Sequence, residues 1–455
     1  MEKKNQSIHL TLAVLATGVM SFAGVLIETA MNVTFPTLIK QFALTTSEVQ
    51  WVTTIYLLMI SIIVPLSTFL YRNVSIRKLF LFANVMFLLG VIVDTIAPMF
   101  SVLLLGRLLQ GVATGVALPL MFQIILEFAP LSRRGAMMGL GTLTTSIAPA
   151  IGPTYGGILT AHLSWHYIYL FLIPVLLVAL GLGLYAIPET KVVKGGRLDL
   201  LSVVGLVLLF SGSLLFLSLL GEALGLVALA VGIGGFYLFY RRSMTQAQPL
   251  IRLSILKNKT FRLFLLSFLV YQFLLLGVSF VLPNFIQIVK GQDAFVAGLA
   301  MLPGATVGAI LSPVSGKILD QVGPKKPITI GLLLAALGWL TLTLTLGKQP
   351  LLGLVACHVF YMIGLGLSYS NMMTTGMNSL EQKLQGDGNA LFNTLQQFSG
   401  AVATSLVAVV INLVQVNSGK SYAAATTLGS QFALGILFIL LLLSLLGCYR
   451  YFRKS

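Results

Sequence analysis

Fourteen apolar runs, each long enough to cross a bilayer, constrain this chain more than any other feature. They fall at about 8–38, 48–71, 77–97, 101–128, 135–162, 165–188, 198–220, 222–241, 258–287, 294–320, 326–346, 350–376, 387–416 and 427–450. A hydrocarbon core of about 30 Å needs roughly 20 helical residues to span it. Inside that core every backbone N–H and C=O must be satisfied within the segment, so runs of this length fold as helices. Only 9% of the residues are charged, against about 25% in a soluble protein. The sequence therefore predicts an all-α integral membrane protein. The N-terminal run is too long for a signal-peptide core and is expected to stay as the first span. The least secure pair of spans is the one joined by Leu220-Gly221-Glu222, which also fits a re-entrant hairpin.

The breaks between runs carry the charge. Of the 28 Lys and Arg residues, only Lys40, Lys290, Lys348 and Lys420 lie in breaks on the side away from the N-terminus, and Arg107 lies inside a run on neither side. The rest share the N-terminal side, and an excess of that kind marks the cytoplasmic face. Both termini are expected there, in a multi-pass protein of the plasma membrane. The net charge of +16 thus reports topology and contact with membrane lipids; a nucleic-acid binder would cluster it on one soluble face. Cys357 and Cys448 are expected at opposite faces and cannot pair. There is no P-loop, His-Glu-x-x-His or Gly-x-Ser-x-Gly pattern, so neither an enzyme nor an ATP-driven pump is expected, and no metal site or cofactor.

Basic breaks near 189–198 and 241–260 divide the chain into an N-terminal six-helix bundle (1–190), two additional helices with their linkers (191–250) and a C-terminal six-helix bundle (251–455). Paired six-helix repeats are a transporter architecture, in which the halves rock about a midplane site.

One carboxylate sits inside the first run. Thr17, Ser21, Gly24, Glu28, Asn32 and Phe35 fall on one helical face, so the stripe should face protein or a watery cavity. An intramembrane carboxylate costs roughly 2.5 to 3.5 kcal/mol and points to function. Two roles fit Glu28: a proton-coupling site, or a protonated, hydrogen-bonded link between helices. Arg107 heads a row with Gly111, Gly115 and Pro119. It pairs either with Glu28 or with Asp94 near the outer end of the third run, or it is satisfied by Gln110, Thr114 or carbonyls. An interfacial Asp94 is expected to be wet. In the fifth run, Pro149 and Pro153, and Gly152 and Gly156, recur at spacing four, which lets a neighbour approach and the helix bend. That face is read as a gating seam or as plain tight packing.

These residues also carry a resemblance. Leu105-Gly-Arg-Leu-Leu-Gln-Gly-Val-Ala-Thr-Gly-Val-Ala-Leu-Pro119 resembles the arginine motif of the major facilitator superfamily, and Ala148-Pro-Ala-Ile-Gly-Pro-Thr-Tyr-Gly-Gly157 the Gly-Pro antiporter motif of its drug exporters. Glu28 followed by Asn32 and Pro36 is similar to the first-helix motif of the fourteen-helix drug:proton antiporter branch, which also has an Asp near the start of its first extra helix, here Asp199. Some features depart from the pattern. Thr68 and Arg72 stand where the first cytoplasmic loop usually has Gly and Asp, whereas the second copy keeps Gly316, Asp320, Gly323 and Lys325. Helix thirteen offers Asn393, Gln396 and Gln397 in place of the carboxylates of some relatives, with Asp387 only at its cytoplasmic start.

The resemblance implies a major-facilitator fold with two extra central helices, and a proton-coupled antiporter that exports lipophilic, often cationic, drugs and dyes. Its partners are then small-molecule drugs and dyes, protons and lipids, with the proton gradient in place of a cofactor and a monomer as the working unit. Glu28 and Arg107 become the proton-coupling pair, with Asp94 and His358 as further candidates and one proton per cycle as the simplest stoichiometry. Met31, Asn32, Phe35, Tyr56, Met59, Phe122, Tyr271, Gln272, Tyr361 and Asn393 become the substrate pocket, and Asp320, Lys325, Gly152, Pro153 and Gly156 the gating elements. Two other readings stay open: a proton-coupled transporter of an endogenous lipid or metabolite, and a non-transporting membrane sensor.

Overall fold

The computed structural model describes residues 9–189, 198–246 and 249–454, without the side chains of residues 68, 131–136, 139–140, 142–146 and 454. The boundary expected at 190/191 lies outside them. Fourteen long helices follow the apolar runs: α1 (Leu10–Phe42), α2 (Thr46–Leu66), α3 (Ile76–Thr95), α4 (Phe100–Phe128), α5 (Leu131–His162), α6 (His166–Ala186), α7 (Leu200–Ser218), α8 (Ala223–Thr245), α9 (Lys259–Ile288), α10 (Ala294–Val322), α11 (Lys325–Thr345), α12 (Leu351–Asn378), α13 (Gln385–Asn417) and α14 (Tyr422–Lys454). Among the described residues, all but α5 are long and apolar enough to cross a membrane.

Local chemistry sets several boundaries. Ala43 ends α1 in the left-handed region, and Thr45 with Glu48 forms a capping box at the start of α2: Thr45 N–H donates to Glu48 Oε2 at 2.7 Å and Glu48 N–H to Thr45 Oγ1 at 3.2 Å. Asn258 and Asp293 cap α9 and α10 in the same sense.

Helices α1–α6 and α9–α14 repeat one neighbour pattern. The first helix of each set packs against its fourth, fifth and sixth, and the fourth also against the second and third. The remaining pair, α7 and α8, forms a tight hairpin. Gly221, at φ 95°, turns the chain between them, and a Cβ on Gly212 would lie 2.5 Å from the Gly232 nitrogen and 2.7 Å from the Ala228 oxygen. Leu220-Gly221-Glu222 thus joins two full-length helices and is no re-entrant loop. Asp199 fastens the other end: Arg242 donates to both its carboxylate oxygens, at 3.0 and 2.8 Å, and Ser202 donates at 2.7 Å. Burial pushes the Asp199 carboxyl up, and these donors more than offset it, holding the group below its ordinary value of 3.8. The α7 helix lies against both α2 and α13, with Phe210 stacked on Phe398 at 4.2 Å.

The two halves meet at their charge-poor ends. Among the described residues, the hydrogen bonds that join them run from Thr46 to Gln415 (2.7 Å), from Ser405 to Gln50 (3.0 Å), between Thr54 and Ser405 (3.2 Å), from Thr154 to the Gly298 carbonyl (3.3 Å) and from Gln287 to the Val33 carbonyl (2.8 Å). Phe35 packs on Phe280 beneath them at 5.4 Å. The hydrogen bonds between the halves thus gather toward the charge-poor end.

Candidate functional site

The predicted stripe of α1 faces protein along its whole length: Thr17, Ser21, Gly24, Asn32 and Phe35 are buried, and Glu28 keeps 9% exposure. Gly24 is needed for this approach, since its Cβ would lie 2.7 Å from Thr114 Oγ1 and 2.9 Å from the Tyr56 hydroxyl. One turn further along the same face, the Glu28 carboxylate has no hydrogen-bond partner among the described residues. It lies in the electrostatic field of Arg107, Tyr56 and Tyr369, the last of these in the opposite half. Asn32, another turn on, accepts from Thr53 at 3.2 Å.

Arg107 does not form an ion pair with Glu28. It is fully buried, and its Nε donates to the Val52 carbonyl at 2.9 Å, its Nη1 to Gln110 Oε1 at 2.8 Å, and its Cζ lies 4.1 Å from the Tyr56 ring centroid. Such stacking is worth roughly 0.5 to 2 kcal/mol or more once desolvated. Gln110 in turn donates from Nε2 to Asp94 Oδ2 at 2.7 Å. The carboxylate linked to Arg107 is thus Asp94, through Gln110. The expectation of a wet Asp94 is corrected as well, because it is 0% exposed. The reason is Gly106, where a side chain would collide with the Asp94 carboxyl; its absence lets α3 close onto α4 over the acid.

In the second half, Tyr369 bridges two amides: its hydroxyl donates to Gln272 Oε1 at 2.7 Å and accepts from Gln396 Nε2 at 2.9 Å, while its ring stacks on Phe268 at 4.3 Å. Tyr369 was not among the sequence candidates, although it follows His358 by eleven residues, three helical turns on the same face. Tyr271 accepts from Ser368 at 2.7 Å. His358 is buried against Gly304, and among the described residues its Nδ1 and the Tyr361 hydroxyl have no hydrogen-bond partner. Met31, Phe35, Tyr56, Tyr271 and Tyr361 are closed off by neighbouring helices, whereas Met59, Phe122 and Asn393 are half-buried.

The Gly-Pro face of α5 separates into two contacts. Side chains at Gly152 and Gly156 would collide with Thr29 and with the Ala30 carbonyl of α1, and one at Gly157 with the Ala294 carbonyl of α10. From α10, a side chain at Gly298 would strike the Pro153 carbonyl. This helix is therefore the seam between α1, at Glu28's own level, and the opposite half. Asp320 and Lys325 are both exposed, and among the described residues no ion pair joins them.

The model of the Major Facilitator Superfamily matches residues 17–404. The lincomycin resistance protein LmrB of Bacillus subtilis (strain 168) is 32% identical, over 98% of this chain and 97% of its own length. LmrB of Listeria innocua is 33% identical over 86% and 84%. Among solved structures, a bacterial homologue of the human lysosomal transporter Spinster, inward-facing and unoccupied, superposes with a TM-score of 0.69 at 13% identity, covering 100% of this chain and 99% of that one.

Proposed function

This chain belongs to the Major Facilitator Superfamily, and from that premise we propose that it is a drug exporter that exchanges lipophilic, often cationic, molecules for protons. The observation that carries the reading is Glu28, an almost buried carboxylate with no hydrogen-bond partner among the described residues, in the field of groups from both halves. An unpaired charge in so dry a place demands compensation, and a proton or a bound cation can each supply it. Two ligands that satisfy the same carboxylate exclude one another, which is the requirement for exchange. On the positive-inside rule the basic end is the cytoplasmic one, which makes the cell interior the side from which the drug is taken up. Ionised Glu28 accepts the drug from there, and protonation in the outward-open state releases it. Relatives named for lincomycin resistance make that antibiotic an early substrate to try, beside cationic dyes. The half-exposed Met59, Phe122 and Asn393, with the Gln272–Tyr369–Gln396 bridge, supply the pliable apolar and amide surface such substrates need.

Each proton contributes about 2.3 kcal/mol per 100 mV and about 1.4 kcal/mol per pH unit. In proteoliposomes, wild-type protein exports ethidium in response to an imposed pH gradient, and a protonophore abolishes it. Glu28→Gln keeps the fold and loses the gradient-driven component. Continued gradient-driven export by that variant would remove Glu28 from the coupling role.

A further inference from the structure

Helix α2 is not one continuous rod. Its first turn, Thr46–Val49, and its main segment, Trp51–Ile63, are separate helical pieces that meet at Gln50. In a regular helix the Gln50 N–H would donate to the Thr46 carbonyl, four residues back; here it turns to the Glu48 carbonyl, so the ladder is interrupted at the charge-poor end. The first turn is self-sufficient at its start, because the capping box satisfies the N–H groups of Thr45 and Glu48 locally. The two pieces are also fastened differently. The main segment is tied to its own half: the Val52 carbonyl accepts from Arg107 Nε at 2.9 Å, Thr53 donates to Asn32 at 3.2 Å and the Tyr56 hydroxyl donates to Thr114 at 3.0 Å, and only Thr54 reaches across, to Ser405 at 3.2 Å. Apart from its cap, the side-chain hydrogen bond of the first turn among the described residues runs to the other half. Thr46 donates to Gln415 Oε1 of α13 at 2.7 Å, and Gln415 is itself held by donating to Thr426 at 2.8 Å. Between the pieces lies Gln50, fully buried. Its Oε1 accepts from Thr54 and, at 3.0 Å, from Ser405 of α13, while its Nε2 has no partner among the described residues. A buried donor left unpaired weakens the closed arrangement relative to one in which water reaches it.

We propose that the first turn of α2 is an outer gate, with Gln50 as its hinge and Thr46 as its catch on α13. When the charge-poor end opens, the turn swings about Gln50 and Trp51–Ile63 stays with Arg107 and Asn32. The movement is a bend inside one half, added to any rocking of one half against the other. It lets the outer end open without disturbing the groups that surround Glu28, because the segment that holds them lies beyond the hinge. Loss of one neutral hydrogen bond at the catch shifts the ratio of swung to latched turn by about 2- to 13-fold. The inference concerns the gate and does not depend on which substrate or ion is exchanged.

Double electron–electron resonance on the full chain in nanodiscs, with Cys357 and Cys448 changed to serine, measures the bend. One pair carries labels at Ser47→Cys, on the first turn, and Leu163→Cys, at the exposed end of α5; the second pair keeps Leu163→Cys and moves the other label to Ile55→Cys, on the main segment. All three sites lie in the first half, so rocking of the halves changes neither distance. Thr46→Val keeps the shape of threonine and removes its hydroxyl. It should add a second component to the Ser47–Leu163 distribution and leave Ile55–Leu163 as in the parent protein. Gln415→Met, which removes the acceptor from the other side, should do the same, whereas Thr46→Ser, which keeps the donor, should retain the single distance. Equal displacement of both pairs would show that α2 moves as one rod. An unchanged Ser47–Leu163 distribution in Thr46→Val and Gln415→Met would show that this bond is not the catch, and a second component of the same size in Thr46→Ser would trace the effect to packing. Each of these three results overturns the proposal.

Discussion

Replacing Gly298 by leucine tests the seam between the halves. The new Cβ would strike the Pro153 carbonyl oxygen and lie 3.1 Å from the Thr154 Cα, both backbone atoms of α5 in the other half, so no rotamer change relieves the clash. Overpacking of this kind costs about 1 to 3 kcal/mol. The helix-propensity gain of about 1 kcal/mol over glycine applies equally to every conformation in which α10 is helical. The penalty falls only on the conformation in which α5 and α10 touch, and it depopulates that conformation by about 5- to 150-fold. Spin labels at Lys40→Cys and Lys348→Cys, exposed at the charge-poor ends of opposite halves, with Cys357 and Cys448 changed to serine, report the separation by double electron–electron resonance. Gly298→Leu should shift the distribution to longer distances and slow ethidium export. Gly234→Leu, placed where no atom lies within 4 Å, should do neither. An unchanged distribution in Gly298→Leu would show that the close α5–α10 approach does not hold this end shut.

Asp199→Asn should lower the thermal stability of the solubilised protein modestly, since water screens the pair with Arg242. Because the Asp199 carboxyl is held below its usual range, the stabilisation is full above that range and is lost as pH falls through the depressed value, so wild type and variant should converge in acid. Tyr369→Phe removes the hydroxyl that joins Gln272 and Gln396 and should weaken ethidium binding by about 5- to 10-fold, near 1 kcal/mol, while sparing the fold; fluorescence titration of purified protein checks it.

The helices were legible because twenty apolar residues in a row admit one solution, and the Glu28 stripe because a 3.6-residue period assigns a face without knowledge of the neighbour. Contacts between distant segments were not legible in that way. Arg107 had several acceptors open to it in sequence, and the choice was made by Gly106 and Gly90, which bring α3 and α4 together closely enough for Gln110 to reach Asp94. The same closeness buries a carboxylate that its position near a helix end marks as wet. Tyr369 was missed for a related reason: aromatic residues are common on membrane helices, and only the two amides from α9 and α13 distinguish this one.

The hairpin of α7 and α8 has a consequence for how a lipophilic molecule arrives. The halves meet along seams that include one between α2 and α13 and one between α5 and α10. Because α7 lies across α2 and α13, with Phe210 flat against Phe398, the first seam is covered toward the lipid by a helix tied to neither half through the short turns that join the others. On the exporter reading proposed above, a drug dissolved in the inner leaflet would enter beside the second seam, below the point where Gly157 and Gly298 bring α5 and α10 into contact. On that account the extra helices make the membrane entrance one-sided, and substitutions on the lipid-facing surface flanking α5 and α10 should alter the capture of membrane-dissolved substrates while those flanking α7 leave it unchanged.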